Sequence, residues 1–132
     1  MLRVVLSSLL IAAGLVGSAR ADGDPAKGAV VFKQCGICHT IGPKAVVRIG
    51  PPLNGIVGRG WAAWPGFAYS PGLVAGRNAK KIWDEATINR WITNPRAMVP
   101  GTKMVFIGLA DPQQRADVIA YLRQFKADGD AR

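Results

Sequence analysis

Two cysteines three apart with a histidine directly after the second, Cys35-Gly36-Ile37-Cys38-His39, are the residues of this chain best equipped to do chemistry. Thiols at that spacing beside an imidazole form the attachment signal for a c-type haem. The thiols add across the two vinyl groups of a porphyrin, which fixes both their spacing and the face they occupy. The neighbouring imidazole then reaches the iron from that same face as a proximal ligand. The chain holds 2 Cys and 1 His, so this pentapeptide contains all of them.

Other chemistries for the same residues fare worse. A redox Cys-x-x-Cys needs a thioredoxin-like βαβ setting, and the sequence shows no alternation of strands and helices. A structural zinc ion needs four ligands, usually Cys or His, and only three are present. A disulfide between Cys35 and Cys38 would close too short a loop to staple much.

Iron held by one imidazole leaves its sixth position open, taken by a second His, or taken by a thioether. No second His exists. The candidate sulfurs are Met98 and Met104, because Met1 stands in a leader. Met104 follows Pro100-Gly101 in a loop between two helices, where it can close over the face opposite His39. A thioether is a soft, neutral donor that favours Fe(II) and raises the reduction potential. It also fills the coordination sphere and leaves no place for a substrate on iron.

These residues need a scaffold, and the 132-residue chain is one domain's worth. Residues 1–21 read as a cleaved signal peptide: Arg3 gives a positive start, Val4 to Val16 is nearly all apolar, and Ala19-Arg20-Ala21 fits a cleavage site. The apolar run of 13 residues is shorter than the roughly 20 needed to span a bilayer, so cleavage, not stable membrane insertion, is expected. The single domain is then 22–132, exported to the bacterial periplasm, where covalent haem attachment takes place. With Arg3 and Arg20 gone from the 17 basic residues and all 8 acids kept, the remainder carries a formal charge of +7. A basic excess of this size steers docking to acidic protein surfaces or anionic membranes. Nucleic acid is excluded as a partner by the lack of a Lys/Arg block and by the compartment.

Helices are predicted at three places. Asp24-Pro25 is an N-cap followed by Pro at the first helical position, and Gly28, Val31, Phe32 and Cys35 recur at helical spacing toward the attachment site. Gly28 lacks a side chain where one would face inward, so another helix can approach closely there. Asp84 and Glu85 open a second helix with the apolar stripe Ile88, Trp91 and Ile92, stopped at Asn94-Pro95. A loop over Arg96 to Ala110 follows. Asp111-Pro112, with Gln114 placed for a capping box, opens a last helix whose inner face reads Val118, Ile119, Leu122 and Phe125. Between the first two helices, Thr40 to Lys80 holds 8 Gly and 5 Pro in 41 residues, a composition that reads as loop. Leu53, Ile56, Val57, Trp61, Trp64, Phe67 and Tyr69 are scattered through it, as expected if loops lay apolar side chains on a porphyrin. No period-2 strand is evident.

The chain resembles class I c-type cytochromes, bacterial cytochrome c2 and the mitochondrial type above all. The resemblance rests on Cys35-Gly36-Ile37-Cys38-His39-Thr40, Gly50-Pro51-Pro52-Leu53-Asn54-Gly55, and Pro65-Gly66-Phe67-Ala68-Tyr69-Ser70. It continues through Trp83, Asn94-Pro95, Pro100-Gly101-Thr102-Lys103-Met104, Phe106 and Ile119-Ala120-Tyr121-Leu122. It implies an all-α class I cytochrome c fold, N- and C-terminal helices packed together, with loops wrapping one covalently bound haem c. By that resemblance Cys35 and Cys38 hold the haem, His39 and Met104 ligate iron, and the Pro51 carbonyl accepts the other imidazole N–H. Arg59, Tyr69 and Trp83 match positions lining the inner propionate, and Thr102 binds near a propionate. Gly28 and Phe32 match positions packing on Tyr121 and Val118. Trp91 replaces a frequent Tyr, and the segment from Tyr69 to Trp83 is longer than the mitochondrial pattern.

The implied activity is electron transfer, not enzymatic turnover. A monomeric carrier would shuttle electrons between respiratory or photosynthetic complexes, docking on acidic surfaces of a membrane cytochrome complex, an oxidase or a reaction centre through Arg48, Arg96 and Lys103. Two alternatives are a dedicated electron acceptor of one periplasmic dehydrogenase, and a sensor or peroxidase whose Met ligand is labile.

Overall fold

The computed structural model describes residues 22–132; the expected signal peptide, 1–21, lies outside the described residues. The described helices are α1 (Pro25–Phe32), α2 (Pro71–Asn78), α3 (Glu85–Thr93), α4 (Pro95–Met98) and α5 (Pro112–Leu122), with a 3-10 turn at Cys35–Ile37. Among the described residues the only β pairing is two isolated bridges, Gly60 with Ile82 and Phe125 with Ala131.

Capping sets where the helices begin. The Asp24 carboxylate accepts from the Ala26 and Lys27 N–H groups at 2.8 and 3.3 Å, and Pro25 fills a position whose N–H would have no partner. Asp84 accepts from the Thr87 N–H at 2.7 Å to start α3, and Asp111 accepts from the Gln113 N–H at 2.8 Å to start α5. At α5 it is the Gln113 side chain, not Gln114, that is engaged: it donates to Asp117 at 2.9 Å.

The N- and C-terminal helices pack together, as the sequence predicts. A Cβ at Gly28 would run into the Asp117 carbonyl and lie 2.8 Å from the Tyr121 Cβ, so the two helices cross at backbone contact. Val31 and Phe32 are buried against that crossing together with Val118, Ile119 and Leu122. The Phe32 and Tyr121 rings stand 5.2 Å apart. The Asp24 N–H donates to the Asp117 carboxylate at 2.8 Å, tying the start of α1 to the middle of α5.

Two helices lie where the sequence reads as loop. α2 occupies part of the Gly- and Pro-rich middle: Ser70 takes the N-cap position and Pro71 the first turn, but with Gly72 and Gly76 inside it only Leu73 and Gly76 are buried, too few for a visible apolar stripe. A single residue, Asn94, separates α3 from α4. Asn94, extended at φ −163°, both terminates α3 and caps α4 by accepting from the Ala97 N–H at 3.1 Å. The expected loop therefore starts at Val99, because Asn-Pro is a stop for one helix and a start for the next. No described helix is long and apolar enough to cross a membrane.

Candidate functional site

The loops and helices close around a cleft of about 460 Å³. Its walls come from the Cys35–Ile37 turn, the Ile49–Arg59 loop, the Phe67–Leu73 segment, Trp83, α3, the Thr102–Leu109 loop and the apolar face of α5. Cys35, Cys38, His39, Arg59, Tyr69, Trp83, Thr102 and Met104 all line it. Met98 does not: it sits at the end of α4 in a shallow groove with Arg90, Thr93, Asn94 and Ala97. The structure thus brings one of the two candidate sulfurs into the cleft and leaves the other outside.

His39 is held by its backbone neighbours. Its Nδ1 lies 2.7 Å from the Pro51 carbonyl oxygen. A carbonyl can only accept, so Nδ1 carries the proton and Nε2 keeps its lone pair. A Cβ on Gly50 would stand 2.5 to 3.0 Å from three atoms of the imidazole, so Gly50 is the floor on which the ring rests. Burial lowers the His39 pKa, against the bond to Pro51, and nearby Arg59 lowers it further. The ring is therefore neutral at pH 7, the form that can donate to a metal. Burial pushes the Cys35 thiol up to about 11, with its backbone hydrogen bond opposing and Cys38 adding. No disulfide joins Cys35 and Cys38, so both sulfurs are available for thioether links.

Aromatic and cationic groups line the cleft beyond the imidazole. Trp83 stacks on Trp61 with centroids 4.6 Å apart and meets Trp91 of α3 at 5.3 Å. The Tyr69 hydroxyl accepts from the Trp64 N–H at 3.1 Å. Burial raises the Tyr69 pKa, opposed by that bond and by Arg59. Arg59 donates from Nη1 to the Asn54 carbonyl at 2.9 Å and lies over the Trp64 ring at 5.3 Å. Thr102 accepts from the Met104 N–H at 3.3 Å, and Lys103 Nζ donates to the Ala68 carbonyl at 2.8 Å. The segment carrying the sulfur is thereby tied to the segment carrying Tyr69.

Among the described residues, two buried side-chain polar atoms have no hydrogen-bond partner: Nε of Arg59 and Oγ of Ser70. Ser70 is 1% exposed. A buried donor left unpaired costs about 1–3 kcal/mol. Both residues line the cleft, beside Tyr69, and no acidic side chain among the described residues lines it. A flat apolar group carrying carboxylates, as haem does, fits that donor set and the aromatic walls. Ser70 and Gly50 are contributors that the sequence reading did not single out as site residues. The signal for Ser70 is its place before Pro71, which reads equally as a plain N-cap.

The cytochrome c family model matches residues 25–126. Cytochrome c2 of Rhodomicrobium vannielii is 52% identical over 115 residues, covering 86% of this chain and 90% of that protein. Cytochrome c2 of Blastochloris viridis is 44% identical over 128 residues, covering 97% and 98%. Among solved structures, cytochrome c2 from Rhodospirillum centenum superposes with a TM-score of 0.75 at 40% identity, covering 79% of this chain and 99% of that one. Cytochrome cH from Methylobacterium extorquens gives a TM-score of 0.69 at 38% identity, covering 76% and 98%. With its helix pairing, its Cys35/Cys38 attachment signal and these matches in accord, the chain belongs to the cytochrome c family and is a cytochrome c2-like electron-transfer protein that carries haem c.

Proposed function

We propose that this electron carrier works in the periplasm with a haem held through thioether links at Cys35 and Cys38 and ligated by His39 and Met104. When bound, that group supplies a one-electron change between Fe(II) and Fe(III). The observation that carries the reading is the convergence of both thiols, the Nε2 lone pair of His39 and the Met104 sulfur on one apolar cleft.

Each remaining residue has a task in the cleft. Pro51 fixes the imidazole through its carbonyl, as outer-shell partners of metal-bound His do. Thr102 and Lys103 brace the Met104 segment against the chain. Arg59, Tyr69, Trp83 and Thr102, joined by Ser70, face the carboxylates; burying such charge without donors is costly, and the unpaired Nε and Oγ supply two. With His39 and Met104 both holding the metal, the protein would leave no position on it for a substrate.

Residues 1–21 serve as a signal peptide removed on export, leaving the single domain 22–132. The carrier acts as a monomer between respiratory or photosynthetic complexes, docking on acidic surfaces of a membrane cytochrome complex, an oxidase or a reaction centre.

Absorption spectra of the purified protein, oxidised and reduced, test haem type, spin state and Met ligation together. Acid-acetone extraction should leave the haem on the polypeptide. Rapid stoichiometric CO binding by the ferrous protein at neutral pH would overturn the six-coordinate reading in favour of a sensor or peroxidase.

A further inference from the structure

The chain beyond α5 folds back on itself. The Phe125 and Ala131 backbones form a bridge, the Arg132 N–H donates to the Gln124 carbonyl at 2.7 Å, and the Lys126 N–H donates to the Asp130 carbonyl at 2.9 Å. Residues 124–132 are thereby closed into a small hairpin, and between 126 and 132 only Gly129 is buried. Gly129 has φ +89°, where a Cβ would run into the Gly42 carbonyl and stand 2.6 Å from the side-chain nitrogen of Asn54. Two residues earlier the contact repeats: a Cβ on Gly55 would lie 2.9 Å from the Ala127 Cα. The hairpin therefore rests, backbone on backbone, against the loop that follows His39.

That loop is closed by three successive cross-links. The Gly50 N–H donates to the Cys38 carbonyl at 2.9 Å, and the Leu53 N–H donates to the Thr40 carbonyl at 2.9 Å. Pro51, whose carbonyl holds Nδ1 of His39, lies between these two. The third link is the Asn54 side chain, which is 4% exposed and does not line the cleft. Its carboxamide accepts from the Gly42 N–H at 2.9 Å and donates to the Gly42 carbonyl at 3.0 Å. One planar side chain that both donates and accepts is what such a pairing requires. The Asn54 main-chain carbonyl also accepts from Arg59 at 2.9 Å, so one residue braces the proximal loop and the guanidinium at the cleft. Water would compete for both Gly42 bonds if they were open to it, and Gly129 lies directly over them.

We infer that Asn54 is a positioning residue for His39, and that the 124–132 hairpin is the cover that keeps its two bonds to Gly42 dry. The inference rests on the carrier reading above for what His39 does. Asn54 acts through the loop: with Gly42 and Leu53 pinned, Pro51 cannot drift from the imidazole. A looser Pro51 carbonyl makes the imidazole a less basic ligand and a poorer donor to Fe(III), which raises the reduction potential. The end of the chain thus helps to set the potential without touching the cleft.

The test compares three variants of the holoprotein by two readouts: the reduction potential, and the NMR shift of the His39 Nδ1 proton in the reduced state. Asn54→Ala removes both bonds to Gly42. Gly129→Ala keeps the carboxamide but places a methyl where the hairpin meets it, at a φ that alanine rarely adopts. Gly28→Ala loosens the distant α1–α5 crossing and controls for lost stability alone. In Asn54→Ala the reduced-to-oxidised ratio at a fixed mediator poise should rise about threefold, short of the roughly 10–100-fold cost of deleting an outer-shell partner outright. The Nδ1 proton should move upfield as its bond to Pro51 lengthens, and Gly129→Ala should shift both readouts the same way. Gly28→Ala should leave both at their wild-type values. Wild-type values in Asn54→Ala overturn the proposal, and so do changes that Gly28→Ala reproduces. Wild-type values in Gly129→Ala overturn the role of the hairpin, and that variant decides the matter if Asn54→Ala does not fold. A wild type whose His39 signals show no haem ring-current shift overturns the carrier reading and this proposal with it.

Discussion

Replacing Gly50 with Ala tests whether the imidazole is positioned by the backbone beneath it. The new methyl would stand 2.5 Å from Cε1, 2.7 Å from Nδ1 and 3.0 Å from Nε2 of His39. Carbon contacts settle at about 3.5–4.0 Å, so the ring must retreat by about 1 Å. That retreat stretches the 2.7 Å bond from Nδ1 to the Pro51 carbonyl past the limit of about 3.2 Å for such a bond. Overpacking costs about 1–3 kcal/mol and the lost hydrogen bond about 0.5–1.5 kcal/mol. Stiffening the unfolded chain by Gly→Ala returns about 0.4–1 kcal/mol, which leaves a net loss of about 2–3 kcal/mol. Guanidinium melts of the holoprotein read this as a midpoint lowered by about 0.5–1 M. A second readout separates site from scaffold. An imidazole without its carbonyl partner is a less basic ligand, a poorer donor to Fe(III), so the reduction potential should rise. A variant with the wild-type midpoint and potential would show that His39 is not held between Gly50 and Pro51.

Gly28→Ala should destabilise by about 2 kcal/mol despite gaining about 1 kcal/mol of helix propensity, because the methyl meets the Asp117 carbonyl; a stabilised variant in a urea melt would mean that α1 and α5 do not touch there. Ser70→Ala should cost the holoprotein about 1–2 kcal/mol if the hydroxyl donates to a bound carboxylate; a gain in stability would make it merely an unpaired buried group. Asp117 is held below its ordinary 3.8 by the Asp24 N–H first, then by Gln113 and Lys27. Its folded pKa is depressed, so its contribution is complete above that ordinary value and fades as pH falls through the folded one. Asp117→Asn should therefore flatten the acid limb of stability below the ordinary carboxylate range, and an unchanged slope in urea melts there would refute the assignment. The double variant Cys35→Ala, Cys38→Ala should retain no haem after acid-acetone extraction and give a broad, uncooperative thermal transition by circular dichroism. A sharp one would mean that the polypeptide folds without the group.

How far each element could be read from the sequence followed from how local its cause was. Asp24-Pro25, Asp84 and Asp111-Pro112 announce their helices because a cap acts on N–H groups two or three residues away. The close crossing at Gly28 was legible as a missing side chain on an inward face, and it meets α5 as expected. α2 was not legible: its Gly72 and Gly76 erase the apolar period, and what holds it is the distant Trp61, against which Gly76 packs. α4 was hidden for a different reason, since Asn94-Pro95 carries opposite meanings for the residues on either side. The attachment pentapeptide stood out because its chemistry demands fixed spacing. Ser70 and Gly50 did not, because a buried hydroxyl and a glycine floor acquire their roles only when segments far apart in sequence meet.

The loop-rich middle raises the question of what keeps it in place. The Thr40–Lys80 stretch brings Leu53, Ile56, Tyr69 and Leu73 to the cleft wall, which Ile88, Ile92, Val118 and Leu122 also line, and all eight belong to or pack against one hydrophobic cluster. A group seated in the cleft would give these apolar walls and the two unpaired atoms, Arg59 Nε and Ser70 Oγ, their partners. The α1–α5 crossing needs nothing in the cleft to form, since Gly28, Phe32 and Tyr121 meet outside it. The terminal helices dock on their own contacts, while the middle of the chain is held by the Trp61 stack on Trp83 and the packing of Gly76 on Trp61, and a group in the cleft would add to these. The thiols that anchor such a group follow α1 by a few residues, where docked helices would already have aimed them at the cleft.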